Sequence, residues 1–226
     1  MANLATNAEY KQRIVAEGGL EPMIALTRSR YDKAWFHSCR GLFALAADDG
    51  NKLLIVKAGG LRPLVERLAD DAGTHVQWYA AGAVANLAIH PDLKLRIAEE
   101  GGLQRLIALA HSDNERVVRQ VVRGLFALAA KTEVRHLMVD AGALPPLVRL
   151  LGAESVDIQR NAAGAVGNIA MTDMFKKKVV DADALLPLIR LAGSRDINVG
   201  RAPSLSLSLS LYLSLSLSLS LIIYSV

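Results

Sequence analysis

Four arginines and three asparagines recur in this 226-residue chain at a regular spacing. Arg40 and Arg123 stand 83 positions apart, each opening a copy of RGLFALAA, at residues 40–47 and 123–130. Asn3, Asn86 and Asn168 follow one another at steps of 83 and 82. Arg119 and Arg160 share a second register with Phe36 and Trp78. A guanidinium is a planar fork of donors that pairs with carboxylates and phosphates. A carboxamide offers a donor and an acceptor together, matching what a peptide group presents. Trp and Phe offer flat apolar surface, Trp with one donor. These are groups for holding a ligand, not for breaking its bonds.

Sets that break bonds are missing from the sequence. Cys39 is the one cysteine, so neither a disulfide framework nor a cysteine zinc site is expected. It occupies one register with Ala81, Val122 and Ala163, which reads as a small core residue. The histidines at 37, 75, 90, 111 and 136 fall at different phases, and no pair has the i, i+4 spacing of helical metal ligands. The Gly-Gly pairs lack the Lys-Ser/Thr that follows in a phosphate loop. No catalytic residue, metal or cofactor is expected. With a formal charge of +4 the chain is mildly basic, short of a nucleic-acid signature, so no nucleic-acid partner is expected. The run Lys176, Lys177, Lys178 reads as a solvated face.

The elements that position these residues follow from a repeat. Leu20, Leu61, Leu103, Leu144 and Leu185 follow a small-residue pair at steps of 41, 42, 41 and 41. Two residues later stands Pro22, Pro63, Pro146 or Pro187, with Arg105 as the exception. Six residues earlier an apolar side chain recurs, at Ile14, Ile55, Ile97, Met138 and Val179. Each unit reads as three helices. The first ends at the Gly-Gly or Gly-Ala pair, where glycine permits left-handed backbone. The second starts just after, with its proline in the first turn, where a missing N–H costs nothing. The third is longer and carries a buried stripe through Leu42, Val84, Leu125 and Val166, with Leu45, Leu87, Leu128 and Ile169 three residues on. A composition 52% hydrophobic but only 5% aromatic suits closely spaced helices. The fold class expected is all-α, and no alternating strand pattern precedes residue 204.

A three-helix unit of this length, with "GGLxPL" turns and "AAGAVANLA" third helices, resembles the armadillo repeat. HEAT repeats, usually two-helix units, lack the Gly-Gly-Leu turn. The resemblance spans residues 2–201 and implies a right-handed superhelical solenoid of about four full repeats plus partial units at both ends. The units lie near 7–47, 48–89, 90–130 and 131–171, with a partial one at 172–201. Members of the family bind extended peptides along a groove of third helices and do no chemistry.

In that family an asparagine near the end of the third helix holds the ligand backbone, and a tryptophan often stands one turn earlier. Here Asn3, Asn86 and Asn168 match the asparagine, while Ala44 and Ala127 replace it in the alternate units. Arg40, Gly82, Arg123 and Gly164 occupy the tryptophan position. One further turn back stand Phe36, Trp78, Arg119 and Arg160. The implied groove therefore suits an extended acidic or phosphorylated protein segment, and its arginines would repel a basic localisation signal. Blander readings stay open. The asparagines could be surface or capping residues, the arginines could pair with acidic neighbours, and Trp78 could fill a gap between repeats.

The resemblance leaves three protein classes: a non-enzymatic interaction scaffold, the targeting part of a ubiquitin ligase or kinesin motor protein, and a membrane-associated adaptor like the vacuole-associated armadillo proteins. The scaffold is the reading adopted, in the cytoplasm or nucleus. Ala2 stands where myristoylation needs glycine. Both ends read as cut within a third helix, without the polar cap that a solenoid end needs. Residues 202–226 read as a gene-model artefact, because 204–221 alternate Ser and Leu as a translated dinucleotide tract would, with Tyr212 one base away from Ser. A membrane partner would be expected only through that segment, which carries no charge from residue 204 on.

Overall fold

The computed structural model describes residues 2–69 and 72–193. The Ser-Leu segment and Arg201 lie outside the described residues. A short 3-10 turn, Leu4–Thr6, precedes fourteen helices, and there is no strand among the described residues. The helices come as successive triplets. They are α1 (Ala8–Ala16), α2 (Leu20–Thr27) and α3 (Asp32–Leu45); α4 (Asp49–Lys57), α5 (Leu61–Glu66) and α6 (Thr74–Leu87); and α7 (Leu93–Glu99), α8 (Gly102–Leu109) and α9 (Glu115–Ala129). Then follow α10 (Thr132–Asp140), α11 (Leu144–Leu150) and α12 (Val156–Ala170), and finally α13 (Asp173–Asp181) and α14 (Leu185–Ala192).

Local chemistry explains the boundaries. Asn7 accepts from the Glu9 N–H at 2.9 Å to start α1, and Asn114 accepts from Arg116 and Val117 to start α9, so free N–H groups of each first turn are satisfied. The turn between the first and second helix of each triplet needs a left-handed residue. Gly18, Gly59, Gly101 and Gly142 supply it with φ between 75° and 87°. In the fifth such turn Asp183 takes the same role at φ 60°, and it is the one non-glycine residue with positive φ among the described residues. Proline sits in the first turn of α11, as its missing N–H allows.

The chain divides into two compact bodies, one up to Val134 and one from Arg135. In the first, the tightest packing joins α3 to α6 and α6 to α9, so three long helices form one continuous layer. Leu42, Leu45, Val84, Leu87, Leu125 and Leu128 are all fully buried in it. Burying each such side chain is worth about 1.5–3 kcal/mol. In the second body α12 packs on α11 and α13, with Val166, Ile169 and Phe175 buried. Cys39 is fully buried in the first body. Lys176 and Lys177 are held by Asp173 and Asp181 at 2.7 Å each. No described helix is long and apolar enough to cross a membrane.

Candidate binding site on the third helices

Repeat spacing puts the predicted site residues on the long third helices, with Asn3 just ahead of the 3-10 turn. In the first body these fall on neighbouring helices. Asn3 and Arg40 line one open cavity of about 300 Å³, together with Ala2, Met23, Leu26, His37 and Ser38. Arg40 is half-buried and makes no hydrogen bond or ion pair with the described residues.

The next asparagine sits differently. Asn86 is 5% exposed at the end of α6. Its Nδ2 donates to the Phe43 carbonyl of α3 at 3.2 Å. Its Oδ1 accepts from Arg123 of α9 at 2.9 Å. The same Arg123 nitrogen donates to the Gly82 carbonyl at 3.2 Å. Each of these bonds crosses from one helix triplet to its neighbour, so Asn86 ties three third helices together. No carboxylate pairs with Arg123 among the described residues, and its Nε is buried without a partner. Burial alone pushes the guanidinium below its ordinary pKa, with no acidic neighbour opposing.

Arg119 and Arg160 are neutralised on their own helices. Arg119 pairs with Glu115 at 2.7 Å on α9, and Arg160 with Asp157 at 2.7 Å on α12. Asn168 is half-buried on α12 of the second body.

Phe36 and Trp78 join an aromatic patch between α3 and α6. Trp78 and Tyr79 have ring centroids 4.4 Å apart, Phe36 lies edge-on to Tyr79 at 5.4 Å, and Phe43 stands 5.8 Å from Trp78. The Arg116 guanidinium of α9 lies 4.8 Å from the Trp78 ring centroid, a cation–π contact. All four rings are half-exposed. Trp78 thus fills space between triplets while keeping one part open.

Sequence reasoning passed over Phe43, Tyr79 and Arg116 of this patch. Phe43 was in view as the fourth letter of RGLFALAA, but only the fold shows that it reaches the next triplet. A basic register in the sequence was also passed over. Lys11, Lys52, Lys94, Arg135 and Lys176 each stand nine residues before a register leucine. Lys52, Lys94 and Arg135 are buried. The Lys94 ammonium donates to the carbonyls of Ala88 at 2.6 Å and Ala127 at 2.7 Å, the C-terminal ends of α6 and α9. Carbonyls there lack intrahelical partners and carry the negative end of the helix dipole. Burial, and then the charge of Lys131, lower the pKa of Lys94. Lys94 thus staples two helix ends.

Residues 131–171 match the Armadillo/beta-catenin-like repeat family. The chain is 30% identical over 140 residues to Vacuolar protein 8 of Schizosaccharomyces pombe, covering 62% of this chain and 26% of that protein. It is 37% identical over 90 residues to Vacuolar protein 8 of Candida albicans, covering 39% of this chain and 15% of that protein. The chain thus spans about a quarter or less of the length of these relatives. Among solved structures, a designed armadillo repeat protein in complex with the peptide (KR)4 superposes with a TM-score of 0.85, at 27% identity, covering 93% of this chain and 89% of that one.

Proposed function

From the premise that this chain is an armadillo-repeat protein with an all-α solenoid fold, we infer that it is a binding scaffold for an extended acidic segment of a protein partner. The observation that carries this reading is the α3–α6–α9 face. It sets Asn86, half-exposed aromatic rings and arginines side by side, and Arg123 there has no counter-ion among the described residues. The designed relative in complex with (KR)4 supports a peptide ligand. The charge preference inferred here is the opposite, because Arg40 and Arg123 stand on this face without a carboxylate partner among the described residues. A guanidinium held only by neutral acceptors favours an arriving carboxylate or phosphate and disfavours a cation. The chain does this without catalysis, in the cytoplasm or nucleus.

The test is fluorescence anisotropy with (DE)4, a phosphoserine peptide of equal length and (KR)4. The unmodified chain binds the two acidic peptides in preference to (KR)4. Arg40→Glu with Arg123→Glu abolishes acidic binding while helical circular dichroism persists. Acidic binding that survives this pair of changes places the ligand elsewhere.

A second reading, a membrane-associated adaptor, draws on the similarity to the two Vacuolar protein 8 sequences. Co-sedimentation of the chain with anionic vesicles would support it, and a chain left wholly in the supernatant would remove it.

A further inference from the structure

We propose that Arg123 gates Asn86: in the unliganded chain its guanidinium occupies the amide oxygen, and a carboxylate of an acidic segment draws it off and frees that oxygen for the ligand backbone. The proposal deepens the groove reading and rests on it.

Three observations support the gate. The Asn86 amide is oriented, because Nδ2 is fixed on the Phe43 carbonyl and Oδ1 is turned to Arg123. A backbone N–H of a ligand needs that same oxygen. Arg123 is held by two neutral acceptors through one nitrogen, while its Nε is buried with nothing to bond. An arriving carboxylate would replace neutral acceptors with a charge-assisted bidentate pair, a stronger partner. An uncharged segment has nothing comparable to offer and would meet an oxygen already in use.

The same two residue types recur at the same spacing elsewhere in the chain, without the bond. Asn3 and Arg40 are separated by the same 37 residues as Asn86 and Arg123. They line one open cavity, and no hydrogen bond joins them. The spacing alone therefore does not force the bond; Arg123 makes it because Asn86 and the Gly82 carbonyl lie within reach.

The experiment compares an uncharged extended peptide, (TV)4, with (DE)4 on three chains: unmodified, Arg123→Met, and Arg123→Met with Asn86→Ala. An ordinary anchoring arginine, once removed, leaves (TV)4 binding unchanged. A gating arginine, once removed, tightens (TV)4 binding about three- to tenfold, the worth of roughly one hydrogen bond. That gain vanishes when Asn86 is also removed, while (DE)4 binding weakens in both variants. Unchanged or weaker (TV)4 binding to a folded Arg123→Met chain overturns the gate, as does a gain that persists without Asn86. Nuclear magnetic resonance of the unmodified chain gives an independent check. On adding (DE)4, the Arg123 side-chain N–H and the Asn86 amide signals move together; movement of Arg123 with a static Asn86 overturns the gate. Failure of (DE)4 to bind the unmodified chain overturns the groove reading and the gate with it, whereas binding without coupling overturns the gate alone.

Discussion

The ring of Phe43 occupies the space that a side chain at Gly82 would need. A Cβ built on Gly82 would stand 2.7 Å from Cδ2 and Cε2 of the ring. Phe43 comes from the first copy of RGLFALAA, and Gly82 from the AGAVANLA helix that follows it. Arg123, from the second copy, reaches back to the Gly82 carbonyl from the other side. The two kinds of third helix are therefore complementary, one offering a ring and a guanidinium, the other a glycine and an asparagine. At Gly124 the same octamer brings backbone close to Ala85, whose Cβ would lie 3.4 Å from an added Cβ.

Gly82→Ala tests this fit. Alanine favours the helix by about 1 kcal/mol. The ring can yield only by leaving its contacts with Trp78 and Tyr79. Overpacking of this kind costs about 1–3 kcal/mol. The expected net result is a loss of about 1 kcal/mol in urea unfolding, with altered tryptophan fluorescence. Adding Phe43→Leu restores stability to the unmodified level or above.

Cys39 sets an alkaline limit. Desolvation by burial pushes its thiol up from 9.0 to about 12, against the smaller opposing effects of the Arg67 charge and a hydrogen bond with Ser38. In the unfolded chain the thiol ionises near 9, so above that pH the folded state holds the proton more tightly. Its contribution is fully present below pH 9 and is lost as pH rises from about 9 toward 12, at about 1.4 kcal/mol per pH unit. Cys39→Ala, which copies Ala81 and Ala163 at the same register, should flatten the fall in unfolding free energy over that range. Thiol reagents should react with Cys39 only after unfolding.

Asp183→Gly should stabilise the chain. Asp183 holds the left-handed turn at φ 60° that glycine fills in four other units. Relief of that strain outweighs the added freedom of the unfolded chain, for an expected gain of about 0.5–1 kcal/mol. Thermal unfolding checks it, and an unchanged or lower midpoint would show that the aspartate is at ease there.

Lys94→Met should destabilise even though it removes a buried charge. It leaves the Ala88 and Ala127 carbonyls without their ammonium donor. Unsatisfied buried acceptors cost about 1–3 kcal/mol each, and removing the desolvated charge offsets part of that. The lowered pKa has its own signature. Between the folded pKa and 10.5 the unfolded chain binds more protons, so this group's contribution to stability increases as pH rises through that window. Subtracting the unfolding curves of Lys94→Met from those of the unmodified chain isolates that slope, which opposes the one from Cys39.

Much of this protein was legible in the sequence because a solenoid writes its fold locally. The step of 41 or 42 residues, the left-handed glycines and the buried leucine stripe each depend on neighbours within one unit, and all reappear in the helices. The placement of Asn86, Arg40, Arg119, Arg123 and Trp78 on adjacent third helices followed from the same register. What those side chains do was decided by contacts between units. Arg119 turned to Glu115 four residues away, a pairing the sequence already contained. Arg123 instead crossed 37 residues to Asn86, and Phe43 crossed to Gly82, because close helix packing left those the nearest groups. Lys94 carried no signal of this role in the sequence, since composition cannot say that two helix ends point their carbonyls at one ammonium. Periodicity determines which residues share a face; only the packed structure determines which of them are already occupied, because a hydrogen bond is settled by tenths of an ångström and not by register.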